Sequence, residues 1–324
     1  VTSPARSLGT VAVTVIPTDD DDGQVGPAAT LANAFTYADL PPPPTVTGIY
    51  PAAGDIRGGT LMTITGTNFG VLAPLLVGGS VAMPAYVTPT VTVGGAPATF
   101  VTVVSATSIT CRAPALPAGA ARDVALTWPG GAAAQADAAY TPMDVAASAG
   151  HDTDGDTMPD DWELIFGLDP TAIDGGGDAD GDGRSNAQEC TDRTHPSGSV
   201  TRYFAEGATT SVFDTSIALA NPYTIPASVH LRFLKRDGTL ASHALRMLPT
   251  SRATVDPEAL AGMDPAEFAT TIESDLAIAV DRTMRWAGGS HCEWSMRSPG
   301  FTWSLAEGAT HGGFDLFYLL QNPN

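Results

Sequence analysis

Two aspartate-rich peptides lie 26 residues apart near the middle of this 324-residue chain, and no apolar core can be built from either. They read Asp152-Thr-Asp154-Gly-Asp156-Thr-Met-Pro-Asp160-Asp161-Trp-Glu163 and Asp178-Ala-Asp180-Gly-Asp182-Gly-Arg-Ser-Asn186-Ala-Gln-Glu189. Each places carboxylates at loop positions 1, 3 and 5, an oxygen side chain at position 9 and a glutamate at position 12. A loop with this spacing curls so that alternate residues point inward, and the final glutamate can close the shell with both oxygens. An all-oxygen set in flexible geometry suits a hard cation of calcium's size. Without a cation, so many clustered carboxylates repel one another. The expectation is two calcium ions. Asp152, Asp154, Asp156, Asp160 and Glu163 converge on one, with the Met158 carbonyl. Asp178, Asp180, Asp182, Asn186 and Glu189 hold the other, with the Arg184 carbonyl, and Asp174 crosses over to complete either shell. The first loop departs from the pattern at Thr157, where the turn favours the glycine that the second loop has at Gly183.

The charge follows the same division. The chain carries 35 acidic and 15 basic side chains, a net charge of −20. Residues 151–192 alone hold 13 of the acids and one of the bases, so the acidity belongs mainly to the loops. Partners that need Lys and Arg, nucleic acid above all, are excluded as expectations. No apolar stretch is long enough to span a membrane. Cys111, Cys190 and Cys292 form neither a disulfide framework nor a zinc motif, and the redox compartment is left open.

The remainder reads as short β-strands joined by turns. Residues 1–40 are the tail of a β domain: a β-branched run at 10–16, an acidic turn at 19–26, and a return strand at 29–37. Pro41 to Pro44 form a stiff spacer. Residues 41–146 are a complete β module, 147–200 the calcium segment, 201–301 a β-sandwich and 302–324 the start of a second copy of it. The last assignment rests on an internal repeat. Ala205-Glu206-Gly207-Ala208-Thr209 recurs as Ala306-Glu307-Gly308-Ala309-Thr310, and Asn221-Pro222 as Asn322-Pro323, both at an offset of 101 residues. In the calcium segment Pro159 and the acids after it open a helix, Trp162, Ile165 and Phe166 give its apolar face, and Gly167 stops it. A turn follows Asn186. Along the later strand Val229, Leu231 and Phe233 alternate with Ser228, His230 and Arg232, which predicts one packed face and one wet face. The fold class expected is mainly β: tandem sandwiches joined by a small calcium-binding loop and helix segment.

Three stretches resemble known families. Val46-Thr-Gly48-Ile-Tyr50-Pro51, Leu61-Met-Thr-Ile-Thr65-Gly-Thr-Asn-Phe69 and Val91-Thr-Val93-Gly94-Gly95-Ala-Pro97-Ala-Thr-Phe100 resemble the IPT/TIG immunoglobulin-like family over 45–142, apart from an insertion between Gly70 and Thr90. Asn33-Ala-Phe35-Thr-Tyr37 matches that family's closing strand. The acidic block is similar to the thrombospondin type 3-like, EF-hand-type calcium repeats of bacterial surface proteins. The opening of 201–301 resembles an uncharacterised repeat of large bacterial secreted proteins. Together these resemblances imply a bacterial extracellular or cell-surface setting, and a chain that begins and ends inside domains.

Catalytic constellations were weighed against structural uses. His291 and Cys292 are adjacent on a strand and point to opposite faces, so they are badly placed to share a proton. Glu206 recurs as Glu307, which favours a turn-holding role over that of a glycosidase acid. Gly58-Gly59, Gly94-Gly95 and Gly130-Gly131 are turn glycines. Trp128, Trp286, Trp294 and Trp303 are weighed as core or interface rings against a glycan-stacking platform. The reading is a non-enzymatic, calcium-stabilised spacer in a large secreted protein. Its partners are the other modules of that protein, with surface glycans or proteins beyond them. The rival is an accessory carbohydrate- or protein-binding region of a secreted polysaccharide-degrading enzyme.

Overall fold

The computed structural model describes residues 9–16, 27–37, 42–70, 72–73, 76–77, 80–81, 85–129, 131–304, 308, 310–312 and 318–323. Strand outweighs helix, 46% against 8%, so the chain is mainly β. By contact it divides into Val1–Pro44 and Thr45–Asn324. In the first unit β1 (Gly9–Val15) and β2 (Ala29–Tyr37) form an antiparallel hairpin with an irregularity between Val11 and Val13. The acidic turn expected at 19–26 lies outside the described residues.

The second unit opens with an immunoglobulin-like sandwich. Its strands are β3 (Thr45–Tyr50), β4 (Ala53–Asp55) and β5 (Leu61–Thr67). Four two-residue pieces follow in the insertion: β6 (Leu72–Ala73), β7 (Leu76–Val77), β8 (Ser80–Val81) and β9 (Ala85–Tyr86). Then come β10 (Thr90–Val93), β11 (Ala96–Pro97), β12 (Thr99–Ser105), β13 (Ser108–Arg112), β14 (Arg122–Thr127) and β15 (Ala133–Met143). One sheet runs β11-β10-β14-β15-β4 and the other β12-β13-β5-β3. Period-2 alternation sends Met62 and Ile64, Val91 and Val93, Ile109 and Cys111, and Val124 and Leu126 into one core. Phe69 stacks on Trp128 there at 5.9 Å. Gly94 and Gly95, with φ of 56° and 83°, make the two-residue turn between β10 and β11.

The acidic segment follows as three short helices: α1 (Val145–Ser148), α2 (Asp160–Phe166) and α3 (Asn186–Asp192). Pro159 is the N-cap of α2, and Gly167, at φ 79°, ends it with its N–H on the Glu163 carbonyl. α3 is longer than the turn expected after Asn186, because the Ser185 hydroxyl caps it by accepting from the Gln188 N–H.

The second sandwich has β16 (Val200–Phe204), β17 (Ala208–Thr209), β18 (Asp214–Asn221), β19 (Ala227–Lys235), β20 (Leu240–Met247), β21 (Ser251–Val255), β22 (Ala266–Ser274), β23 (Ala279–Trp286) and β24 (Gly289–Trp294). Its sheets are β16-β22-β19-β20, with β17 on β22, and β21-β18-β23-β24. Val229, Leu231 and Phe233 enter the core as expected, and Phe233 meets Phe268 edge-on at 5.4 Å. The predicted wet face of β19 is a correction. Ser228 and His230 are buried, at 5% and 3% exposure, because the acidic segment covers them. Phe166 of α2 packs against His230 at 5.6 Å and against His195 at 4.6 Å. The His195 ring reaches on to Ser228. Of the expected second repeat, the described residues 318–323 form no strand, whereas residues 217–221 of the first copy, which match 318–322, lie in β18, hydrogen-bonded between β21 and β23.

Arg246 of β20 ties three parts of this unit together. It donates to the carbonyls of Gly58 in the first sandwich (3.1 Å) and Leu164 in α2 (3.4 Å). Thr45–Asn324 is therefore one unit in which the acidic segment is wedged between two sandwiches.

Candidate metal centre

The two loops share one hydrogen-bonding scheme, residue for residue. Asp152 accepts from the N–H groups of Gly155 and Thr157, and Asp178 from those of Gly181 and Gly183. Asp154 accepts from the Asp156 N–H and Asp180 from the Asp182 N–H. Asp156 accepts from the Met158 N–H and Asp182 from the Arg184 N–H. These bonds hold each loop curled and bring its three aspartates together. The curl needs left-handed backbone at the sixth position, where Gly183 has φ 93° and Thr157 has φ 81°. The threonine sits there against its preference, a cost of order 1 kcal/mol.

Asp160 and Asn186, at position 9, bond back across their own loops. Both Asp160 oxygens accept from Thr153, from its N–H at 2.8 Å and its hydroxyl at 2.7 Å. Asn186 likewise accepts from the Ala179 N–H at 3.3 Å, and its amide donates to the Asp174 carbonyl. Position 9 thus closes each loop onto its second residue. Met158 is fully buried, and the Arg184 guanidinium pairs with Asp192, away from the loop.

The first site is the more developed. Asp152, Asp154 and Asp156 bring carboxylate oxygens within 4.8 Å of one another, and Asp156, Glu163 and Asp174 do the same, so the two groups join at Asp156. Asp174 therefore crosses from the linker to the first loop. Glu163 has no exposure at all, and neither of its oxygens has a hydrogen-bond partner. One oxygen each of Asp154 and Asp174 is also buried without a partner. Burial first, then the charges of Asp156, Asp154 and Asp174, push the Glu163 carboxyl up to about 9. Asp154 and Asp174 are also raised, chiefly by burial.

Four buried carboxylate oxygens in these two joined groups have no hydrogen-bond partner, a deficit that a bound cation would fill. The donor set is all oxygen, which fits calcium rather than a thiolate- or imidazole-bound zinc. Cys190, the nearby thiol, is pushed up to about 11 by burial and by Glu163 and Asp156, so it stays protonated. When bound, the ion would supply the positive charge that this cluster lacks.

At the second site Asp178, Asp180 and Asp182 form an exposed group. Glu189 is buried and raised to about 7, chiefly by burial, with one oxygen accepting from the Thr194 hydroxyl and the other unpartnered.

Sequence reasoning missed the clamp on Asp174. The Tyr50 hydroxyl, from β3, donates to Asp174 Oδ2 at 2.5 Å, and the Asp169 N–H reaches the same oxygen at 3.3 Å. Asp169 in turn accepts from the Ala52 N–H at 2.5 Å. These partners lie 117 and 124 residues apart, and no local pattern announces them.

The other weighed constellations have structural geometry. Arg282, 1% exposed, donates to the Glu206 carbonyl and faces the Glu206 and Glu293 carboxylates at 3.7 and 3.1 Å. His291 pairs with Met284 across the ladder and Cys292 with Thr283, so their side chains leave opposite faces.

Among solved structures the chain is similar to Thermotoga maritima 1070, at 13% identity over 32% of this chain and 97% of that one, with a TM-score of 0.29. It is also similar to the plexin A4 full extracellular region, at 25% identity over 31% of this chain and 10% of that one, with a TM-score of 0.23. A third is Bacteroides ovatus SGBP-B in complex with a mixed-linkage heptasaccharide, at 12% identity over 82% and 60%, with a TM-score of 0.24. No curated protein matches. Among the described residues no helix is long and apolar enough to cross a membrane. The family comparison assigns the first sandwich: residues 44–141 of this chain are an IPT/TIG domain.

Proposed function

We propose that this chain is a non-catalytic, calcium-braced segment of a large extracellular bacterial protein. In it an IPT/TIG domain and a second β-sandwich are held together by an acidic joint that carries two calcium ions. The observation behind this reading is Glu163, wholly buried with both oxygens unpartnered beside Asp154, Asp156 and Asp174. Its partners are the neighbouring modules, with surface glycans or proteins beyond them. Millimolar calcium outside cells suits loops of this kind, whose dissociation constants in extracellular modules are roughly 0.1 to 1 mM.

The glycan-binding rival needs a shared aromatic face. Trp294 pairs with Asp281, whereas Trp286 has the strand parity of Val280, Arg282 and Met284, so these two exposed rings sit on opposite faces of the sheet. The structural reading is tested by calorimetric titration of the chelator-treated chain. Two equivalents of calcium are expected, with a rise in melting temperature. No heat and indistinguishable melting in calcium and in chelator would reject it.

A further inference from the structure

Asp174 is the one carboxylate of the first site that also touches another module. Its Oδ1 is buried without a partner in the group formed with Asp156 and Glu163, while its Oδ2 accepts from the Tyr50 hydroxyl of the IPT/TIG domain. The Asp169 N–H donates to that same Oδ2, and Asp169 returns to the IPT/TIG domain through the Ala52 N–H. Among the described residues the second site has no such link. The chain beyond its exit helix passes through Thr194, whose hydroxyl donates to Glu189, to His195, whose N–H meets Glu273 of the other sandwich at 3.2 Å. The two loops are alike in their internal bonds, and the Tyr50 contact belongs to the first alone among the described residues.

We infer that Tyr50 is a positioning residue for the first calcium site and that Asp174 is shared between the ion and the IPT/TIG domain, so that filling this site locks that domain onto the joint. A carboxylate whose second oxygen is already held loses less freedom on binding an ion than a free one. By linkage, whatever Tyr50 adds to calcium affinity, calcium adds to the docking of Tyr50. The inference rests on the calcium reading and adds to it a carboxylate that the first site shares with the IPT/TIG domain.

The test uses the whole chain and the variant Tyr50→Phe, which keeps the ring of a residue 45% exposed and removes only the hydroxyl. Calcium titrations resolve two classes of site, and Glu163→Gln identifies the first. Tyr50→Phe is expected to weaken the first class about tenfold, within the usual range for coupled sites, and to leave the second unchanged. Amide hydrogen exchange supplies a second readout. Calcium should raise protection of the Ala52 N–H in the wild type and do so much less in Tyr50→Phe. Unchanged affinity at the first site, equal weakening of both sites, or Ala52 protection indifferent to calcium would each overturn the inference. Failure of the wild type to bind calcium would instead reject the reading beneath it.

Discussion

Glu163→Gln should change the sign of its effect on stability when calcium is removed. In the cation-free fold the Glu163 carboxyl is raised from 4.5 to about 9, first by burial and then by Asp156, Asp154 and Asp174. At pH 7 the unfolded chain therefore ionises this group while the cation-free fold keeps it protonated. An acid raised in the fold destabilises it above the unfolded pKa, and the cost grows with pH up to the folded value. At about 1.4 kcal/mol per pKa unit, the interval from 4.5 to 7 gives at most about 3 kcal/mol. A neutral glutamine of the same shape does not incur this cost. With calcium the balance reverses, because the ion makes the ionised form the favourable one. Free calcium at 100 times the dissociation constant adds about 2.7 kcal/mol at one site, and the substitution forfeits most of that by removing a charged ligand.

The assay is urea unfolding of both proteins at pH 7, in excess calcium and in chelator. The variant is expected to be more stable than the wild type by about 1–3 kcal/mol in chelator and less stable by a similar amount in calcium. In chelator the advantage of the variant over the wild type should also be larger at pH 8 than at pH 5. A variant less stable in both solutions would show that Glu163 is held by ordinary packing and that the acidic group needs no cation.

Two further outcomes follow from the same joint. Phe166→Ala removes the ring set against Trp162, His195 and His230, and should cost about 3–5 kcal/mol; separate melting of the two sandwiches by calorimetry would follow, whereas an unchanged single transition would contradict the wedge. His195 and His230 are lowered to about 3 and about 4, mainly by burial, so the unfolded chain binds protons first as pH falls below 6.5. In calcium, stability should therefore drop by up to about 2.7 kcal/mol per pH unit between pH 6 and 4, and a flat profile in urea midpoints would exclude buried neutral imidazoles.

How much of this was legible in the sequence divides along chain separation. The loop spacing, the helix stop at Gly167 and the alternation of the IPT/TIG strands are local, and each is where its residues put it. The loop-closing bonds of position 9 were not legible, because a carboxylate there suits a ligand and a loop closure equally well. The closure comes from Thr153, seven residues earlier, whose hydroxyl donates to one Asp160 oxygen. The wet face assigned to β19 failed for a different reason. Alternation reports what one sheet offers its own core, and it is silent about a second layer arriving from outside.

That second layer explains why polar residues stand where they do on β19. Ser228 and His230 cannot face an apolar core, yet both are buried, and the Ser228 hydroxyl and carbonyl lie within hydrogen-bond reach of the His195 ring. The Ser197 N–H donates to His195 Nδ1, which makes Nε2 the protonated nitrogen and therefore the donor to Ser228. The joint is thus specified twice over: by Tyr50 and Asp174 toward the IPT/TIG domain, and by His195 and Ser228 toward the second sandwich. Each contact joins residues that an acidic linker with no structural duty would have no reason to pair. The first loop is anchored on both sides of the ligand set, through Asp174 and through the Leu164 carbonyl that Arg246 grips. An ion drawn into that set would therefore act on two docked domains, and not on a free hinge.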